Sequence, residues 1–237
     1  GKVDQSLSKL TKLIKNNPDE IDYYYVYGKI CNQINKLDEA EKVFTYLCNK
    51  NIRSPDYLNN LYVIFLKKGN FELAEKYVLK LLKILPEHYT ALRDLAYLQF
   101  LKKDFKQAST IYEKIKKEMY NDVFALNIYG LVNYFQGNIE KACTIFIEAI
   151  NLDSNYLDSY NNLGKIYIDF ENLNEAFQNF KKAYKINKKN PNTLINIGNI
   201  LSLKDKNKYA IEAYEKALKN SDKKNEILAN ISITYSR

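Results

Sequence analysis

An alanine returns every 34 residues through most of this chain, at Ala40, Ala74, Ala108, Ala142, Ala176 and Ala210, with no slipped residue. Four residues after each stand Phe44, Val78, Tyr112, Phe146, Phe180 and Tyr214. Three further on come Leu47, Leu81, Ile115, Ala149, Ala183 and Ala217. Twelve residues before each alanine are Gly28, Tyr62, Ala96, Gly130, Gly164 and Gly198, most of them small. A period of this length means one supersecondary unit repeated, because a unit of that size buries its apolar face only against a neighbour like itself.

Inside a period the spacings of three and four put the recurring residues on one stripe of a helix. Each unit therefore reads as two amphipathic helices joined by a short turn. Gly69-Asn70, Gly137-Asn138, Asn35 and Asn172 supply helix-stop chemistry at that turn, since Gly and Asn tolerate the left-handed conformation. Pro18 and Pro86 fall where one unit ends and the next begins. The small residues predict close helix crossings, with Gly164 facing Ala176. Seven Gly and four Pro are too few for an all-β chain with many tight turns, or for Gly-rich nucleotide loops.

On these residues the chain resembles the tetratricopeptide repeat family. The resemblance implies an all-α fold, an α-solenoid in which helix-turn-helix hairpins stack into a right-handed superhelix. Six whole repeats are expected at 21–54, 55–88, 89–122, 123–156, 157–190 and 191–224. Residues 1–20 match the second helix of a preceding repeat, and 225–237 the first helix of a following one. Ends that cut across a repeat read as a segment of a longer protein (Gly1 as a cloning remnant), or as open ends that stack on another copy. Tyr62 departs from the pattern, being bulky where a small residue is expected, so the second repeat is expected to pack at a different angle. Gln99 and Asn133 replace the apolar residue found as Phe65, Tyr167 and Leu201.

In this family the first helices line a concave surface that holds peptides or partner helices. Carried over, the resemblance assigns to that groove Asn60 in the second repeat and Arg93, Asp94, Tyr97, Phe100 and Leu101 in the third. Phe124, Asn127, Ile128, Leu131, Tyr134 and Phe135 follow in the fourth. Asn162, Lys165, Asn196, Asn199 and Asn230 complete the set. Asn60, Asn162, Asn196 and Asn230 share one phase of the repeat, a spacing similar to the asparagine ladder in the tetratricopeptide domains of O-linked N-acetylglucosamine transferases. A primary amide both donates and accepts, so such a row suits a peptide backbone of any sequence. The plainer reading is solvated asparagine in an asparagine-rich chain. The aromatic and aliphatic residues from Tyr97 to Phe135 read as a binding patch, unless Phe100 and Tyr134 turn inward to replace what Gln99 and Asn133 withhold.

The formal charge is +8, from 36 Lys+Arg against 28 Asp+Glu. The lysines are scattered as pairs along the chain, which reads as solvated surface rather than a nucleic-acid face, with an acidic partner left open. No three consecutive first helices carry the Lys, Asn and Arg set that clamps a chaperone's C-terminal carboxylate in this family. Cys31, Cys48 and Cys143 fit a reducing, cytoplasmic setting and small buried hydrophobes rather than disulfides. His88, alone of its type, is expected at the surface of a junction. No catalytic constellation, metal-ligand cluster, cofactor motif or membrane span is legible. The expected function is a non-catalytic scaffold that binds a partner peptide or helix in its groove. The alternatives are the substrate-selecting arm of a larger enzyme such as an O-linked glycosyltransferase, and an architectural subunit of a larger assembly; self-association through open ends also stays open.

Overall fold

The period appears in the backbone first at the turns. Asn35, Gly69, Lys103, Gly137, Glu171 and Asp205 all adopt positive φ, between 56° and 82°, one period apart. Around Glu171 the Asn172 N–H donates to Tyr167 O at 2.8 Å and the Glu171 N–H to Ile168 O at 2.8 Å. This closing pair satisfies carbonyls that a helix end would leave without partners. The same pair closes the turns at Asn35, Gly69, Gly137 and Asp205. The sequence pointed to Asn172 as the left-handed residue of its turn; the structure gives that place to Glu171. Hydrogen-bond geometry fixes the position, and residue preference yields to it.

The computed structural model describes residues 2–50 and 54–236; Gly1, residues 51–53 and Arg237 lie outside, with the expectations that touch them. The chain divides into two compact units, Gly1–Lys102 and Lys103–Arg237. The first holds α1 (Lys2–Asn16), α2 (Ile21–Gln33), α3 (Leu37–Lys50), α4 (Pro55–Lys67), α5 (Phe71–Ile84) and α6 (Tyr89–Leu101). The second holds α7 (Phe105–Lys114), a 3-10 turn (Met119–Asn121), α8 (Val123–Phe135), α9 (Ile139–Leu152) and α10 (Leu157–Asp169). It continues with α11 (Leu173–Ile186), α12 (Pro191–Leu203), α13 (Asn207–Leu218) and α14 (Lys224–Tyr235). Among the described residues there is no strand, and no helix is long and apolar enough to cross a membrane.

Caps start several of these helices. Asn70, Asp104, Asp122 and Asn190 accept from backbone N–H groups three residues on, at 2.9–3.1 Å. His88 does the same, its Nδ1 accepting from the Ala91 N–H at 3.3 Å. It is half-buried and caps α6, a more specific role than the surface position expected of it.

All six period-marking alanines are fully buried, and so are Phe44, Val78, Tyr112, Phe146 and Phe180. Gly164 does not reserve its space for Ala176. The atoms nearest a Cβ built on Gly164 are all in the Phe180 ring, and the same holds for Gly130 with Phe146 and Gly198 with Tyr214. The glycine is the socket for the aromatic of its own hairpin. In the second repeat the volumes change places: Tyr62 is 1% exposed on the first helix and Val78 fully buried on the second. A core accepts such an exchange when the total volume is kept.

The two polar departures are buried as well. Gln99 donates its Nε2 to Glu75 Oε1 at 2.7 Å, and Asn133 donates its Nδ2 to Tyr129 O at 2.8 Å. Asn133 Oδ1 is buried with no hydrogen-bond partner.

In the second unit each hairpin packs its helices on each other (α8 on α9, α10 on α11, α12 on α13), and each second helix on the next first helix. The first helices α8, α10, α12 and α14 also touch in sequence, while α9, α11 and α13 stand further apart. The first helices therefore form the inner side of this unit's curve.

Candidate functional site

The inner side of the second unit carries a chain of polar side chains that runs from helix to helix. Asn127 Oδ1 on α8 accepts from Ser159 Oγ at 3.1 Å and from Asn162 Nδ2 at 3.0 Å, both on α10. Asn161 donates its Nδ2 to Thr193 Oγ1 on α12 at 2.9 Å, and its Oδ1 accepts from Asn196 Nδ2 at 3.3 Å. Asn199 Oδ1 accepts from Tyr214 Oη at 2.7 Å and from Asn230 Nδ2 on α14 at 3.4 Å. Thr234 Oγ1 donates to Asn230 O at 2.8 Å and lies 3.2 Å from Ser202 Oγ on α12. Polar groups at a helix interface stabilise it only when satisfied, and here each finds its partner in the adjacent repeat.

This corrects part of the groove expected from the sequence. Asn127 and Asn196 are buried, at 4% and 7% exposure, because their amides are spent on neighbouring helices. Ile128, at 7%, belongs to the interior. Asn162, Asn199 and Asn230 are half-buried. In the first unit Asn60 donates to Asp56 O of its own helix at 2.8 Å. Asp94 is 8% exposed and so not groove-facing; it accepts from Tyr62 Oη at 3.2 Å and from Arg93 Nε at 2.8 Å. Burial and the Asp94 carboxylate push the Tyr62 phenol well up. Tyr97 and Phe100 on α6 are half-buried, and Leu101 is exposed.

Ser159, Thr193 and Thr234 were not among the residues singled out from the sequence. Their signal is a spacing. Stacked 34-residue hairpins bring residues 32 or 35 apart together, as in Tyr62 with Asp94, Lys67 with Asn32, and Tyr134 with Asp169. A search for polar pairs at those two separations finds the contacts of Asn127, Asn161 and Thr234 with the neighbouring repeats, but not those of Asn199, which lie 31 and 15 residues away.

On α8 the aromatic patch resolves into two roles. Leu131 and Tyr134 pack against the core of Ala142, Phe146, Leu163 and Ile166. Tyr134 Oη donates to Asp169 Oδ2 at 2.7 Å, and that bond, with burial, pushes the phenol up to about 12. Phe124 is half-buried. Phe135 is 53% exposed and stacks on Phe105 with centroids 5.0 Å apart.

Lys165 and Asp158 on α10 are both exposed. Surrounding protein nevertheless strips enough hydration to lower the Lys165 pKa, and Lys223 adds to the effect while Asp158 and Glu226 oppose it. The same burial raises the Asp158 carboxyl, against the pull of Lys165.

Sequence profiles described as Tetratricopeptide repeat match residues 63–121, 157–190 and 191–224, together more than half of the chain. No curated protein matches the chain by sequence. Among solved structures, a tetratricopeptide repeat protein from Parabacteroides merdae ATCC 43184 superposes with a TM-score of 0.78 at 19% identity, over 99% of this chain and 93% of that one. The APC/C hetero-tetramer Cut9-Hcn1 gives 0.81 at 14% identity, over 99% of this chain and 46% of that one. YrrB, described as a TPR protein with an unusual peptide-binding site, gives 0.64 at 19% identity, over 78% of this chain and 95% of its own. At these identities the likeness is one of fold.

Proposed function

Because the chain belongs to the tetratricopeptide repeat family, built for protein interaction, we propose that the inner face of its second unit holds an extended or helical segment of a partner protein. The observation that carries this reading is the run of side-chain amide bonds between α8, α10, α12 and α14, which leaves Asn162, Asn199 and Asn230 half-buried on helices that also carry the exposed Lys165. An exposed ammonium can meet a carbonyl or carboxylate of the bound segment. Asn162 and Asn230 have given one N–H to the neighbouring helix and keep amide capacity for a peptide backbone. Phe124 and Phe135 on α8 supply apolar contact at the other end of the same face. YrrB, a relative in fold, is described as having a peptide-binding site, which supports a peptide as the ligand class.

The test is selection of peptides from a random library on the immobilised protein, followed by affinity measurements on variants. Lys165→Ala and the pair Phe124→Ala with Phe135→Ala should each weaken the selected peptides at least tenfold, with the helical content unchanged. Peptides whose affinity ignores both changes would place the recognition surface elsewhere.

A further inference from the structure

On its outer side the second unit has two clefts at one phase of the repeat. One, of about 420 Å³, lies between the 3-10 turn, α8 and α9. The other, of about 340 Å³, lies between α11 and α13 over α12. Their linings correspond two periods apart: Leu126 with Leu194, Tyr129 with Ile197, and Ile145 with Ala213. They open because the second helices splay while the first helices converge.

The two differ in what already fills them. At the first, Lys141 lies over the Tyr129 ring at 5.0 Å and is paired with Glu113. Between them, at the corresponding place on α11, Lys182 covers the Tyr160 ring at 5.7 Å and Asn179 stands where Ile145 and Ala213 do. At the α11–α13 cleft Lys204 lies over the Phe177 ring at 5.7 Å and donates to Asn174 Oδ1 at 2.6 Å. Ala213 is the smallest residue of its phase, and the space it leaves is floored by Leu194, Ile197 and Leu201. Its volume lies in the range of ligand pockets, roughly 300–1,000 Å³. Lys181 and Lys216 stand on opposite rims, and among the described residues neither pairs with a carboxylate. Glu212 is the one acid in the lining, and α11 adds Lys182 and Lys185 against Glu175.

We propose that the cleft between α11 and α13 docks a partner segment in which one large apolar side chain is flanked by Asp or Glu. The apolar side chain fills the hollow over Ala213, and the flanking carboxylates meet Lys181 and Lys216. A pocketed anchor with a complementary charged rim combines affinity with orientation. This surface is separate from the inner face, so a partner seated here leaves that face open.

The test uses three fluorescein-labelled synthetic peptides: one Phe flanked by Asp and Glu, the same peptide with Lys for every acid, and the same peptide with Ala for Phe. Fluorescence anisotropy on the whole chain should show saturable, salt-sensitive binding of the first alone. Ala213→Leu fills the hollow, and the double variant Lys181→Glu with Lys216→Glu reverses the rim; each should weaken that binding at least tenfold. The rim variant is confined to the surface and reads out even if Ala213→Leu perturbs folding. Lys165→Ala should leave the affinity unchanged. Failure of the acidic peptide to bind better than the lysine form, or indifference to the rim variant, overturns the proposal and leaves the inner face untouched. Loss with Lys165→Ala overturns it too, by moving the peptide to the inner face.

Discussion

A Cβ built on Gly130 would lie 2.6 Å from a ring carbon of Phe146, sixteen residues along on the second helix of the same hairpin. No carbon fits at that separation, so the glycine and the ring define one packing unit. Gly130→Ala should destabilise the second unit by about 1–3 kcal/mol through overpacking. Phe146→Leu, which costs stability alone, should recover part of that loss when combined with it. Urea denaturation of both single variants and the double variant measures the coupling. Strict additivity would mean that the alanine is accommodated by some other movement. The second repeat, with Tyr62 and Val78 in these two places, shows that the pair is constrained by its summed volume.

Glu171 pays for its turn with a left-handed backbone, φ 56°, and its side chain is exposed. An L-residue in that region costs roughly 1–2 kcal/mol, a cost glycine does not carry. Glu171→Gly should therefore raise the urea midpoint, and Gly137→Ala, at φ 82°, should lower it by a similar amount. A lower midpoint for Glu171→Gly would mean that the side chain contributes more than the backbone strain removes.

Asn133 is fully buried, its Oδ1 has no partner, and its phase holds Phe65, Tyr167 and Leu201 in other repeats. A buried polar group without a partner costs about 1–3 kcal/mol. Asn133→Leu should raise the thermal midpoint of the second unit, measured by circular dichroism. A fall would show that the amide's bond to Tyr129 O outweighs the orphaned oxygen.

Glu113 joins α7 to the next hairpin, accepting from Lys141 and from Tyr129 Oη. The Lys141 ammonium first, and the Tyr129 hydroxyl second, hold its carboxyl below the ordinary glutamate value near 4.5. The unfolded chain then binds the proton more readily than the folded one, so the contribution is full above that value and drains as pH falls below it. Thermal midpoints should fall on acidification below about pH 4.5, and Glu113→Gln should flatten part of that slope. An unchanged slope would assign the acid sensitivity to other carboxylates.

The hairpin and its period were legible in the residues because what builds them lies within one repeat. Ala142, Phe146 and Gly130 meet inside 34 residues, and their spacing alone puts them on facing stripes. The turn was nearly as plain at Gly69 and Gly137. It was misplaced at Asn172, where the hydrogen-bond pattern puts Glu171 in the left-handed position.

The inner face was legible only in part. Asn127 and Asn196 look like Asn162 in the sequence, yet they are buried between helices while Asn162 is only half so. Neighbouring positions on a helix point about 100° apart, so a small rotation of one hairpin on the next moves a side chain from groove to interface. That rotation comes from how whole repeats seat on each other, which no spacing within a repeat encodes. The outer cleft over Ala213 has the same origin, since it opens only where splayed second helices meet a side chain too short to fill the gap. Sequence alone determined that this chain is a run of like hairpins; the seating of one hairpin on another decided which of their side chains are left for a partner.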